Sequence, residues 1–308
     1  RTPPIHKPRP GHADLAGSVK WLTTDCRETL ERASARETAS RVAAGALARC
    51  LLRTFGIDVF GFVRRIGPVV TDAAITPDNI DEMRRLRDES DVYCPDPAAS
   101  EEMRAVIRRA KVDKDTAGGW VEAHAIGCPV GLGSCMDYRD KLDARIALAV
   151  IGIQAFKAVE IGLGVECGVR PGSDVHDPIR FDPSKAETPA LGFVRDSNNA
   201  GGLEGGMTNG EPVVVRGTMK PISTLLRGLP SVDLNTKKPE HSAYERSDVS
   251  AVSAASVVME NAVAFELARA CREKFGGDSV TEVESNFERY MEMARSLPLD
   301  PTPAARLA

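Results

Sequence analysis

The sequence predicts an α+β protein. Strand-like and helix-like segments alternate irregularly instead of repeating as βαβ units, the longest periodic segments are two Ala-rich helices, and the strand-like segments are β-branched and short. No Gly-x-Gly-x-x-Gly follows a strand and there is no P-loop, so neither a Rossmann unit nor a Walker ATPase is supported. The chain has 308 residues, 42% hydrophobic and 27% charged. That is ordinary for a globular protein and long enough to bury a core without disulfides or metals.

Taken in order, residues 1–12 are Pro-rich and extended. Residues 24–52 form a long helical pattern rich in Ala, Arg and Glu. Residues 57–70 read as strand, interrupted at Gly61. Residues 78–89 and 97–112 read as amphipathic surface helices whose acid–Arg pairs at i,i+3 and i,i+4 are solvated. Residues 118–126 read as strand, 140–156 as a helix with a buried centre, and 157–163 and 212–219 as strands. Residues 168–190, rich in Pro, Asp and Ser, read as a loop or an edge insertion, and 229–245 as another loop. Residues 249–275 form one long helix, apolar on more than one face and therefore central, stopped by Gly276-Gly277. Residues 279–293 form a last amphipathic helix, and 296–308 a flexible tail.

Several function classes are excluded. A net charge of −4, from 40 basic and 44 acidic residues, argues against bulk nucleic-acid binding. No run approaches the roughly 18–20 apolar residues of a membrane span. The best candidate, 146–156, is short and contains Gln154. The start of the chain lacks a signal-peptide core, so a cytoplasmic location is expected. Seven cysteines without a Cys-x-x-Cys pair argue against a disulfide scaffold or zinc ribbon. His124, Cys128 and Cys135 have no common metal-ligand spacing, and no metal is expected.

Four clusters interrupt the regular patterns. In Arg9-Pro10-Gly11-His12-Ala13-Asp14, a Pro-Gly turn presents His12 outward with an acid nearby, a usable proton donor or acceptor. In residues 31–38, Ser34 and Glu37 read as a capping box. Arg32 and Arg36 stand at a helix start, where the dipole disfavours cations unless an anion shares the site. Residues 198–210, Asn-Asn-Ala-Gly-Gly-Leu-Glu-Gly-Gly-Met-Thr-Asn-Gly, precede a strand and then Lys220-Pro221-Ile222-Ser223-Thr224, an order that looks like a cofactor-phosphate cradle. Arg246-Ser247-Asp248 precedes the long helix, with Asp248 placed as N-cap. Together they describe a cationic, glycine-lined pocket with one His and one Asp, suited to a small, highly anionic ligand.

These motifs resemble chorismate synthase. So do Ala39-Ser40-Arg41-Val42-Ala43-Ala44-Gly45, Pro129-Val130-Gly131-Leu132-Gly133-Ser134, Lys141-Leu142-Asp143-Ala144, and residues 153–162 from Ile153-Gln154-Ala155 onward. They run in the family's order from residue 9 to about 277. The resemblance implies a sandwich of antiparallel sheets around a helical core, a single domain over 1–308, and a homotetramer. It implies removal of phosphate and a ring proton from 5-enolpyruvylshikimate 3-phosphate to give chorismate, with reduced FMN required. His12 matches the histidine that donates a proton towards the flavin, and Asp248 an aspartate assisting proton removal. Arg9, Arg36 and Arg246 match substrate-holding arginines. FMN contacts are implied for Arg32, Ala33, Ser34, Gln154, Ala155, Gly205, Lys220, Pro221, Ile222, Ser223, Thr224 and Arg246. A separate flavin-reducing system is expected, since no reductase domain is appended.

The family also has an N-terminal segment with Gly-Glu-Ser-His-Gly and Arg-Arg-Pro-Gly stretches, supplying a second histidine and arginines for substrate or the nicotinamide of NADP. Neither stretch occurs here, and the chain opens on Arg1. The 308 residues are therefore expected to be an N-terminally incomplete domain. The alternative is a truncated, inactive paralogue that keeps FMN or anion binding.

Overall fold

The structure, a computed structural model, describes residues 3–245 and 248–299. After an extended start come α1 (Asp14–Trp21), α2 (Arg27–Leu30) and α3 (Thr38–Thr54), then β1 (Asp58–Ile66) and β2 (Val69–Val70). Next come α4 (Ile80–Glu89), α5 (Pro97–Val112), β3 (Gly119–Ile126), α6 (Leu142–Ile151) and β4 (Phe156–Ile161). Short elements follow: α7 (Gly172–Val175), β5 (Ile179–Phe181), β6 (Phe193–Arg195), β7 (Leu203–Glu204) and β8 (Met207–Thr208). The described residues end with β9 (Val213–Met219), β10 (Pro230–Val232), β11 (Pro239–His241), α8 (Val252–Phe275) and α9 (Val280–Arg295).

Five strands pair antiparallel in the order β2-β1-β3-β9-β4. Side chains alternate across a strand, and that period sorts the two faces. Val59, Val63, Val121, Ala123, Ala125, Val213 and Val215 join the main core with residues of α3, α6 and α8. Phe60 and Phe62 belong to a separate cluster with Ile75 and Ile80. The α+β class is thus realised as an antiparallel sheet against a helical core. Among the described residues the remaining strands form three two-stranded ribbons.

α8 is central, as its all-round apolar sequence requires. Val252, Met259, Val263 and Leu267 are buried along its length. It crosses α3 at Gly45, where a Cβ would come within 2.3 Å of the Asn261 carbonyl oxygen. Such contact admits no side chain.

Several boundaries differ from the sequence reading. The helical pattern over 24–52 breaks between α2 and a 3-10 turn at Ala35–Glu37. Ser34 adopts an extended conformation, and its hydroxyl donates to the Glu31 carbonyl instead of capping a helix. Ser competes locally with the backbone ladder, so the expected capping box is absent here. A complete one forms at Ser279 and Glu282 of α9. Gly61 does not interrupt its strand. A Cβ there would lie 2.7 Å from Glu260 Cβ and 2.8 Å from the Ser256 carbonyl, so the residue admits α8 to the sheet. The helix expected over 140–156 stops at Ile151, and Phe156 already belongs to β4.

The segment 229–245 contains the strand pair β10–β11, and 168–190 contains β5, whose partner β6 lies just beyond it. No described helix is long and apolar enough to cross a membrane. Of the expected tail, residues 300–308 lie outside the described residues.

Candidate active site

The N-terminal cluster closes on itself. Asp14, the first residue of α1, is fully buried. Its carboxylate accepts from Arg9 Nε at 2.8 Å, Arg9 Nη2 at 3.1 Å and the Arg9 backbone N–H at 3.0 Å. His12 Nδ1 lies 2.5 Å from Asp14 Oδ1. Burial alone would raise the carboxyl's pKa, but the hydrogen bonds from His12 and Arg9 outweigh it and hold it well below the carboxylate range. A carboxylate so placed claims the Nδ1 proton and turns Nε2 to the open side of the ring. Pro10 and Gly11 make the expected turn, closed by His12 N–H to the Arg9 carbonyl. His12 does not point freely outward, however: its side chain is 17% exposed.

The second wall is the segment after β9. Arg9 Nη1 donates to Thr224 Oγ1 at 2.9 Å, and Lys220 Nζ donates to the Gly11 carbonyl. Burial, then the charge of Lys157, pushes the Lys220 amine below its usual range. The Ile222 carbonyl accepts from Thr116 Oγ1 at 2.7 Å, and Ser223 lies beside the Gly11 turn. Thr224 and Asp248 line a small cavity of about 150 Å³ with Lys111, Lys114, Asp115 and Thr116. Asp248 does not cap α8, whose N-cap is Ala251. The helix starts later than the sequence implied, and Asp248 faces the cavity instead. Arg246 lies outside the described residues.

A third wall adjoins this one. The Lys220 backbone N–H donates to the Ala155 carbonyl at 3.0 Å. Ala155 has φ +68°, a conformation rare for a residue with a side chain. Gln154 Nε2 donates to Glu37 at 2.7 Å, and Arg41 Nε donates to the same carboxylate at 3.0 Å. Gln154 Oε1 is buried and has no hydrogen-bond partner. The segment holding Arg32, Ala33, Ser34 and Arg36 leads into Glu37. Arg36 is exposed and paired with Glu31 at 2.6 Å. An acid of its own chain thus supplies the charge for which the sequence invoked an anion at this helix start.

Arg9, His12, Gln154, Ala155, Lys220, Pro221, Ile222, Ser223, Thr224 and Asp248 therefore belong to one continuous band. Gly205 does not join it. The glycine segment meets the start of β9, where Val214 N–H bonds to the Gly201 carbonyl, whereas Lys220 follows the other end. Seven residues of strand separate them by roughly 20 Å. The expected cradle of glycine loop and Lys220 does not form within one chain. Residues 203–208 make a tight hairpin with Gly205 at its turn. Sequence reasoning missed that Asp14 anchors the cluster and that Glu37 holds Gln154. Asp14, two residues from His12, carried a visible signal. The Glu37–Gln154 pair is 117 residues apart in sequence and carried none.

A family model described as chorismate synthase matches residues 3–271. The chorismate synthase of Desulforudis audaxviator is 53% identical over 292 residues, covering 95% of this chain and 73% of the relative. That of Geobacter sulfurreducens is 52% identical over 293 residues, covering 95% and 74%. A solved structure described as the crystal structure of chorismate synthase superposes with a TM-score of 0.78 at 39% identity, covering 92% of this chain and 77% of that one.

Proposed function

The chain belongs to the chorismate synthase family, and from that premise we propose that it converts 5-enolpyruvylshikimate 3-phosphate to chorismate by reduced-FMN-dependent anti-1,4-elimination of phosphate. This is the last common step of the shikimate pathway to the aromatic amino acids. The family's enzymes are carbon–oxygen lyases acting on phosphates. The observation that carries the proposal for this chain is the closed cluster of Arg9, His12 and Asp14 packed on Lys220–Thr224, with Asp248 on the adjoining cavity.

The residues present fit a flavin nucleotide. Gln154 Oε1 is a buried acceptor in need of a donor, and among the described residues the Lys220 ammonium bonds only to a neutral carbonyl. Lys220, Ser223 and Thr224 would hold the phosphate, and Gln154 and Ala155 the ring's polar edge. Arg32, Ala33 and Ser34 approach from the Glu37 side. When bound, reduced FMN supplies transient electron density and a base for the ring proton. Asp14 fixes the tautomer of His12, so Nε2 holds and delivers the exchangeable proton. Arg9 has its nitrogens taken by Asp14 and Thr224. It serves the site by orienting His12 and contributing a desolvated positive charge towards the anionic substrate. By the family resemblance Arg246 and Arg36 would hold substrate anions, Arg36 by exchanging its Glu31 partner for the substrate, and Asp248 would accept a proton.

A homotetramer, supported by the family resemblance, completes the reading, with a cytoplasmic location and a separate flavin-reducing system as the sequence reading expects. The binding-only alternative is not favoured. The test is a pair of variants: His12→Ala and Asp248→Asn should each lower chorismate formation by about 10²-fold or more, with FMN binding, read by flavin fluorescence, largely kept. Loss of FMN binding in both would overturn the assigned roles.

A further inference from the structure

We propose that Lys157 and Lys220 form a two-lysine clamp for a phosphate monoester. The inference rests on the reading just given and adds to it a residue to which that reading assigns no role. In the β4–β9 pairing, Phe156 lies opposite Met219 and Ala158 opposite Thr218, so Lys157 is the unpaired bulge residue between them. Bulges re-aim a side chain and are enriched beside active sites. Lys220 follows Met219 directly, and its backbone N–H is tied to the Ala155 carbonyl at 3.0 Å. The two lysines thus flank one cross-strand pair at the edge of the candidate site.

Among the described residues their charges have no counter-ion. Lys157 makes no side-chain hydrogen bond or ion pair among the described residues, and Lys220 Nζ has only the Gly11 carbonyl. The charge of Lys157 reaches the Lys220 amine, which is held below its usual range first by burial and then by Lys157. Like charges brought together without a carboxylate cost free energy that a dianion relieves. A phosphate monoester supplies two negative charges and three acceptor oxygens, enough to bridge both ammonium groups. Two such phosphates come to this site in the proposed reaction, that of FMN and that of the substrate.

The experiment measures equilibrium binding to wild type, Lys157→Gln and Lys157→Arg. One arm compares FMN with riboflavin, which lacks the phosphate. The other compares 5-enolpyruvylshikimate 3-phosphate with its dephosphorylated counterpart. The clamp predicts that Lys157→Gln weakens one phosphate ligand about tenfold, leaves its phosphate-free partner unchanged, and is rescued by arginine. The arm that responds identifies which phosphate the clamp holds. Lys157 is exposed, and an unchanged unfolding midpoint certifies the fold of each variant. No effect on either phosphate ligand, or equal weakening of the phosphate-free partner, would overturn the clamp while leaving the flavin reading intact. A wild-type protein that binds neither FMN nor substrate would overturn that reading itself.

Discussion

Asp14 concentrates the site's energetics in one carboxylate. It is buried, it accepts three hydrogen bonds from Arg9, and it lies 2.5 Å from His12. Removing one partner of a buried charge pair strands the other, at a cost of about 3–5 kcal/mol. Exposed pairs such as Arg85–Glu89, with both side chains 60% exposed, are usually worth about 0.5 kcal/mol or less. Asp14→Ala should therefore lower stability by about 3–5 kcal/mol in urea unfolding, and Glu89→Ala hardly at all. An Asp14→Ala loss below about 1 kcal/mol would show that the Arg9–His12 loop is held by something else. Asp14→Asn adds a functional readout. It keeps the shape but no longer fixes the histidine tautomer, so turnover should fall more than FMN affinity.

At the scale of elements, the face of the sheet turned from α8 carries a charged ladder. Glu122 of β3 accepts from Arg216 of β9 at 3.0 Å, and the same arginine reaches Glu160 of β4 at 3.2 Å. His124 Nε2 lies 2.8 Å from Glu122, and Arg64 of β1 is 3.6 Å away. Register explains this meeting, because Glu122 and Glu160 both lie opposite Arg216. Burial pushes the Glu122 carboxyl up. The hydrogen bond from His124 and the charges of His124, Arg64 and Arg216 outweigh it and bring it from 4.5 down to about 2. A depressed acid stabilises the fold fully above its unfolded pKa, and that contribution is lost as pH falls through the folded value. Wild type should thus lose on the order of 3 kcal/mol between about pH 5 and pH 2 from this group. Glu122→Gln should flatten that part of the stability curve. An unchanged acid limb in Glu122→Gln would assign the acid sensitivity to other carboxylates.

At the scale of the whole molecule, what was legible in the sequence followed local chemistry. α4 and α5 matched closely because amphipathic period and, for α5, Asp96 capping with Pro97 at the first turn all agree. The contacts His12–Asp14 and Thr224–Arg9 were reachable because the motifs named their members. The separation of Gly205 from Lys220 was not, since a strand's length places its two ends far apart whatever their order suggests. Nor was the role of Arg36 or Asp248 fixed by standing near a helix start. Glu31 neutralises the one, and the N-cap of α8, Ala251, lies three residues beyond the other. The family and the general reaction therefore rest on motif order, and the detailed roles rest on tertiary placement.

The measurement that tests the central claim most directly is anaerobic incubation of the protein with 5-enolpyruvylshikimate 3-phosphate and chemically reduced FMN, following chorismate by absorbance and phosphate release in parallel. The account predicts chorismate and phosphate in equal amounts over many turnovers, with no net consumption of reduced flavin. Absence of both products from protein that binds FMN and substrate would contradict it.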